Sequence, residues 1–535
     1  MSTIDSIRFR MYNTGSVGDC LLLLFQRGDD IAFSMLIDCG GWMTKKEAIS
    51  ACVEDIHATC NGKLDLLVLT HEHMDHVSGF NQARAVFDRI EVGKVWMSWI
   101  EDEGDDIAKV LKDLYGKKMQ ELTLAAEMAI TSLRRKAAAS SHVRGMNARA
   151  KAQLQTMEDT LELLRLEDGV IPMRGAKASL TNSDAVSYLK KKGDVRYLKP
   201  GEVISDLEGA EGMKFYVLGP PRDRDMRFFK IATEEDEMYK LAVASPSADK
   251  AGGAGVLNQV SGAGLNPGSG AGLNPGSMGT INPAFAGVLN PAFAKEDENL
   301  SSFNEPIVES GISLEEGQSP FGEQYILQGK EKEAFLKEYN SVANRWRQIE
   351  TDWLENAASI AMRVTALTNN TSLAMAIEFG DSGRVVLLPG DAQSGNWMGW
   401  HKPTVMRSLK KKGGKDTAEL LANTIFYKVG HHGSHNGTAS VSGLNHVQND
   451  DLVVFMPLVQ DKVPSAWGGS ENFPDKSLYR VLIEKSRGRL VRTDVGVIQD
   501  ARAKKFRAEL KASEKKEFTD SFKKGPNWVE YVIKG

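Results

Sequence analysis

The sequence has little of what most quickly assigns a chain to a class. Among 535 residues there are four cysteines, Cys20, Cys39, Cys52 and Cys60, and no CxxC pair. That spacing excludes a zinc knuckle or a dithiol redox centre. Cys20 and Cys39 lie in or beside apolar runs and read as small buried hydrophobes. No apolar stretch reaches the ~20 residues that span a bilayer. The first residues lack the apolar core of a secretory signal, so the expected location is the cytoplasm and no membrane partner is expected. Basic residues number 66 against 71 acidic ones, a formal charge of -5. No overall positive field draws nucleic acid, although local basic clusters still could. Hydrophobic residues make up 41%, which is enough for one large decorated domain or several ordinary ones.

What is present is a cluster of histidines. The apolar run Leu66-Leu-Val-Leu69 leads into His71-Glu-His73-Met-Asp75-His76, four donors within six residues. Imidazole suits zinc and related ions, and a carboxylate can complete such a site. Val77-Ser-Gly79 follows and reads as a tight passage. A metal-dependent hydrolase is the leading expectation.

These residues resemble the central signature of the metallo-β-lactamase superfamily. Val17-Gly-Asp19-Cys20 and Leu36-Ile-Asp38-Cys-Gly40 resemble its opening strands. Val386-Leu-Leu-Pro-Gly390-Asp391 resembles the strand that ends in a metal-bridging aspartate, and Lys428-Val-Gly-His431-His432-Gly433-Ser434 the last metal-binding motif. The forms are most similar to the hydrolase domain of bacterial DNA-uptake competence proteins, as are Asn370-Thr-Ser372-Leu373 and Arg492-Thr-Asp494. Between His76 and Asp391 no histidine stands in a matching motif. Phe215-Tyr-Val-Leu-Gly-Pro220 occupies that place, much as in the competence-like subgroup.

The resemblance implies an α/β fold, a four-layer αββα sandwich with helical and low-complexity insertions. It implies two divalent metal ions, zinc in the first instance with manganese as the alternative. His71 and His73 would hold one ion, Asp75 and His76 the second. Asp391 would bridge them and His432 would be the last ligand. The catalytic residues implied are Asp75, which also orients water, Asp391, and His431, which binds or protonates substrate.

Apolar runs place strands at Ile7–Met11, Leu21–Phe25, Ile31–Ile37, Leu64–Leu69 and Val95–Ile100, with a helix at Lys45–Ala58. Residues 107–166 turn rich in alanine, leucine and long charged side chains, and read as helices. Leucine or isoleucine followed by asparagine recurs every eight residues at Leu257, Leu265, Leu273, Ile281 and Leu289. That period fits no helical stripe, and the Asn-Pro steps favour turns or extended chain. Residues 331–360 read mainly as helix, with Trp346 and Trp353 on one face. Strands resume at Met362–Ala366, Leu373–Phe379, Val385–Leu388, Ile425–Val429, Leu452–Met456 and Leu490–Thr493, with a helix at Ser477–Glu484. The chain therefore divides into a core half over 1–106, a helical insertion over 107–180, core again over 181–230, a second insertion over 231–360, and the other core half over 361–535.

Several residues have two readings. Asp19 and Asp38 brace the site by hydrogen bonds or occupy plain turns. Asn370 and Ser372 support the site or satisfy local backbone. Ser434 and His435 contact phosphate or close a turn. Thr493 and Asp494 edge the substrate or are structural. Arg134-Arg-Lys136, Arg144, Arg149 and Lys151, like Lys410-Lys-Lys412, form solvated surface or touch a polyanion. The favoured function is a phosphodiester hydrolase acting as a nuclease on DNA or RNA. A small-nucleotide phosphodiesterase or a lactonase is the enzyme alternative. A partner-binding regulatory protein, working through the insertions, is the non-catalytic one.

Overall fold

The computed structural model describes residues 3–113, 180–222 and 367–535, together with scattered positions between them. The chain divides into two units, the larger built from Met1–Gly262 and Ala357–Gly535. All that follows concerns that unit.

The N-terminal strands are β1 (Ser6–Tyr12), β2 (Cys20–Arg27), β3 (Asp30–Cys39), β4 (Lys63–Leu69), β5 (Glu91–Ser98) and β6 (Asp194–Leu198). Next come β7 (Val203–Ile204), β8 (Met213–Gly219), β9 (Ala374–Phe379), β10 (Val385–Leu388), β11 (Thr424–Lys428), β12 (Val453–Met456), β13 (Leu490–Arg492) and β14 (Gly496–Val497). The chain closes on β15 (Phe522–Lys524) and β16 (Trp528–Lys534). They form two eight-stranded sheets, ordered β15-β16-β1-β2-β3-β4-β5-β6 and β14-β13-β12-β11-β10-β9-β8-β7. Each sheet mixes antiparallel pairs with a parallel run, β3 to β6 in the first and β10 to β13 in the second. Helices flank both sheets, giving the four-layer αββα sandwich of the metallo-β-lactamase-like fold.

Strand alternation builds the layers. In β2, Leu21, Leu23 and Phe25 point into the core between the sheets, where they meet Phe215, Val217 and Ile377. Their neighbours Cys20, Leu22 and Leu24 face the other way, against Ile49, Cys52 and Val53 of helix α1 (Lys46–Thr59). A two-residue period sends successive side chains to opposite faces, so a strand buried on both must be apolar throughout. The sheets are pinned together by aromatic contacts such as Phe9–Phe426, with ring centroids 4.5 Å apart. The far face of the second sheet packs Tyr216, Leu387 and Tyr427 against Trp397, Trp400 and Leu482.

The strands and helices expected from the sequence in the described regions are present, with local corrections. The strand expected at Val95–Ile100 ends at Ser98, whose hydroxyl accepts from Ile100 N at 3.3 Å and opens a short turn of 3-10 helix at Trp99–Glu101. Val77–Gly79 lies in the middle of helix α2 (Met74–Gln82). It is a tight passage, since a Cβ on Gly79 would lie 2.5 Å from Cys39 Sγ. Of the strand expected at Met362–Ala366 only Thr365 is described, and it is helical. Every described position within 107–166 is helical. The octad segment and the Trp346–Trp353 helix lie outside the described residues. The sequence reading assigned no element to β16, although Val529, Tyr531 and Ile533 alternate into the core. Cys20 and Cys39 are fully buried as expected. Among the described residues no helix is long and apolar enough to cross a membrane.

Candidate metal centre

Five strand ends meet at one rim of the sandwich. β2 begins just after Asp19, β3 ends through Asp38, β4 leads into His71, β10 into Asp391 and β11 into His431 and His432. Four of these, those of β3, β4, β10 and β11, are carboxyl-terminal ends, which ligand sites in sheets with parallel strands favour.

Local backbone features bring the segments close. His73 is extended (φ -67°, ψ 150°), and α2 starts immediately after it. Asp75 thus sits in the first turn, where the helix dipole favours a carboxylate. Gly40 lets β3 pass against that turn, because a Cβ there would lie 2.4 Å from the Asp75 carbonyl carbon. Asp19 N donates to Asp75 O at 3.0 Å across the same crossing. Gly390 takes φ 61° to turn the chain out of β10 into Asp391. Asp38 (φ 53°), His431 (φ 46°) and His432 (φ 52°) also adopt left-handed backbone. This costs a non-glycine residue of order 1–3 kcal/mol and is concentrated at functional sites.

The result is a buried group of four donors. Atoms of Asp75, His76, Asp391 and His432 all lie within 4.8 Å of one another. His432 Nε2 is 2.8 Å from Asp75 Oδ2 and 3.5 Å from Asp391 Oδ2. His76 Nε2 is 3.1 Å from Asp391 Oδ2. A second group, Asp19, Asp38 and His76, shares His76. Both shared and unshared imidazoles are oriented from behind. His76 Nδ1 faces Asp38 Oδ2 at 2.7 Å, and His432 Nδ1 faces the carbonyl of Pro457 at 2.9 Å. These acceptors fix the proton on Nδ1 and turn Nε2 toward the centre, as the outer partners of metal-bound histidines do. Asp38 is itself held by Thr70, through N at 2.8 Å and Oγ1 at 2.6 Å.

The electrostatics follow from this crowding. Burial works against charge on every group, yet the neighbours outweigh it. Asp391 is held well below the usual carboxylate range by His76, His432 and Lys428. His76 is held well above its ordinary value by Asp391, Asp75 and Asp38. Burial instead prevails at His71, helped by His76 and His73, and pushes it far down. Asp75 Oδ1, His76 Nε2 and Asp391 Oδ2 are buried without a hydrogen bond. Orphaned buried polar atoms are costly, and a cation placed among them satisfies all three. The residues therefore fit a divalent ion.

The other candidates are distributed as follows. His71 and His73 stand at the edge of the four-donor group, with Nε2 and Nδ1 3.0 Å apart and the His71 ring 4.2 Å from that of His76. Ser372 links the two halves, accepting from Asp391 N at 3.1 Å and standing 3.3 Å from His71 Nδ1. Asn370 Oδ1 accepts from the backbone of Gln393 and Asn396, bracing the turn after Asp391. His431 contributes its backbone N–H to Asp391 Oδ1 at 3.0 Å. Its ring lies between Asn436 Oδ1 at 3.0 Å and Asn369 Nδ2 at 3.3 Å. Ser434 donates to Asn436 within its own turn, and His435 belongs to neither donor group. Thr493 bonds Met456 O, and Asp494 accepts from Arg492 and Gln460 N, both local braces.

Sequence reasoning gave no role to Lys428, Thr70 or Trp467. Trp467 lies parallel to His432, with centroids 6.5 Å apart. A lysine or threonine flanking a motif carries no signal of burial, so the pattern alone could not single these out.

No protein-family model matches the chain, and no curated protein matches it significantly. The two-sheet sandwich and its shared-ligand donor groups are consistent with the broad metallo-β-lactamase superfamily fold. They support a metal-dependent enzyme.

Proposed function

We propose that this protein is a metal-dependent phosphodiester hydrolase, and a nuclease in the first instance. The observation that carries the metal-dependent reading is the buried Asp75–His76–Asp391–His432 group with its three unpaired polar atoms. Asp75, His76, Asp391 and His432 would hold one ion, with His71 and His73 beside them for the second. Zinc or manganese suits this mixture of imidazole and carboxylate. A bound divalent ion supplies Lewis acidity, lowering the pKa of water toward neutrality and stabilising charge that develops on phosphoryl oxygens. The chain's own residues set the stage. Asp391 is fixed through Oδ1 and presents Oδ2. Asp75 keeps Oδ1 unpaired, which supports a role in orienting the attacking water. His431, pushed down to about 4 by burial, is neutral at pH 7 and binds substrate rather than protonating it.

A small phosphodiester such as a cyclic nucleotide is the second reading, since the same metal chemistry acts on any phosphodiester. Lys410 lies not in a loop but in the last turn of the helix Pro403–Lys411, and its ties to Glu419 and Asp416 fit a solvated face better than a polyanion contact.

The test is purified protein loaded with zinc or manganese and offered plasmid DNA, radiolabelled RNA, cyclic nucleotides and bis(p-nitrophenyl) phosphate. Cutting of either polymer supports the nuclease. Turnover of the small esters alone supports the second reading. A protein that carries no ion, and whose function survives His73→Ala, is a regulatory scaffold instead.

A further inference from the structure

Among the described residues, four carboxylates, those of Asp19, Asp38, Asp75 and Asp391, are buried at this rim together with the ammonium of Lys428. Lys428 is the last residue of β11 and is 1% exposed. Its ammonium lies against Asp19 Oδ2, 3.1 Å from Gly390 O and 3.4 Å from Asp391 Oδ1. The same Asp391 Oδ1 accepts from His431 N at 3.0 Å. Two donors therefore converge on one oxygen of Asp391, and the other, Oδ2, has none and faces His76 and His432. In the second donor group Asp38 takes Thr70 and His76. The ammonium lies against Asp19 Oδ2, while Asp19 Oδ1 is buried without a hydrogen bond, 3.7 Å from His432 Nδ1.

We propose that Lys428 is a positioning residue: a tethered cation that fills the place beside Asp19 and holds Asp391 by Oδ1, so that Oδ2 alone is presented. It follows that the Asp19–Asp38–His76 group is a brace that takes no divalent ion of its own. This rests on the metal-dependent reading above. An ammonium near a divalent cation repels it, so simple electrostatics has loss of Lys428 tightening ion binding. Positioning has the opposite sign, because a freed Asp391 must be reordered by each ion.

The charge-balanced pair Asp19→Asn with Lys428→Met separates the two effects, since it removes one charge of each sign. Wild type, Asp19→Asn and the double variant are dialysed against zinc and cobalt(II). Ions per chain, the dissociation constant and the cobalt absorption spectrum are then read. Both variants are expected to keep the wild-type ion count. The double variant should hold its ions about tenfold more weakly, with a shifted cobalt band. Loss of one ion per chain in either variant makes Asp19 a ligand and overturns the proposal. So does a double variant equal to wild type in affinity and spectrum. Should the double variant not fold, anomalous diffraction from manganese-loaded wild-type crystals decides. Peaks are expected at the four-donor group and none within bonding distance of Asp19, and a peak on Asp19 overturns the inference. Wild type that binds no ion at all sinks both this inference and the reading beneath it, whereas the other adverse outcomes sink this one alone.

Discussion

His432 Nε2 lies 2.8 Å from Asp75 Oδ2 although the two residues are 357 positions apart in the chain. The contact joins the loop after β11 to the first turn of α2, and so couples the two sheets at the donor centre. Neither residue can be removed without stranding the other's charge in a buried site.

His432→Ala and Asp391→Asn should each reduce ion affinity and hydrolysis by about 100-fold or more, a larger loss than the 10–100-fold typical of outer-shell partners. Isothermal titration with zinc and a phosphodiester assay check this. Wild-type ion affinity in both variants would place the ion elsewhere.

Asp38 acts one step further out. It accepts from Thr70 N, Thr70 Oγ1 and His76 Nδ1, and an amide cannot accept all three. Asp38→Asn should weaken ion binding roughly 10–100-fold while leaving the number of ions unchanged. The dissociation constant and the metal content of the purified variant are the measurements.

Ion loading should release protons. In the ion-free fold burial opposes charge on His76 and His432, but Asp391 and Asp75 outweigh it and raise both. Ligation needs neutral rings, so affinity rises with pH. The sign for stability is opposite. A raised folded pKa stabilises the ion-free protein fully below the unfolded value of about 6.5, and this is lost as pH rises through the folded pKa. Calorimetry in buffers of differing ionisation heat, from pH 6.5 to 8, should show net proton release. Binding without release would mean that the rings are already neutral.

His431 should not shape the pH–rate profile. Burial, with help from His432, lowers it to about 4 against the opposing pull of Asp391. His431→Gln is expected to lower turnover and keep the profile's form between pH 6 and 8. Disappearance of a limb in that range would show that this imidazole titrates there.

Gly40 is a packing requirement. A Cβ would meet the Asp75 backbone at 2.4–2.5 Å, and backbone cannot yield as a flexible side chain can. Gly40→Ala should destabilise the protein by about 1–3 kcal/mol, in the range of overpacked cores. It should also loosen ion binding by displacing Asp75. Denaturant unfolding combined with zinc titration tests the pair of effects.

The strands of the two central layers were legible because burial on both faces demands unbroken apolar runs, as in Leu21–Phe25 and Val385–Leu388. Segments that pack by a few residues within polar sequence, such as Asp194–Leu198 or Pro403–Lys411, gave weaker signals and went unassigned. The donors were equally visible as residue types: the chemistry of His71, His73, Asp75 and His76 is written in six consecutive positions.

Sequence alone determined which side chains could bind an ion and which runs had to be buried, because donor chemistry and hydrophobic period are local properties. Only the tertiary structure decided that Asp75, His76, Asp391 and His432 form one group while His71 and His73 stand at its edge. It also placed the Lys428 ammonium between Asp19 and Asp391. Those distances depend on how the ends of strands from two sheets converge, and that convergence is fixed by packing of the whole core rather than by any one segment.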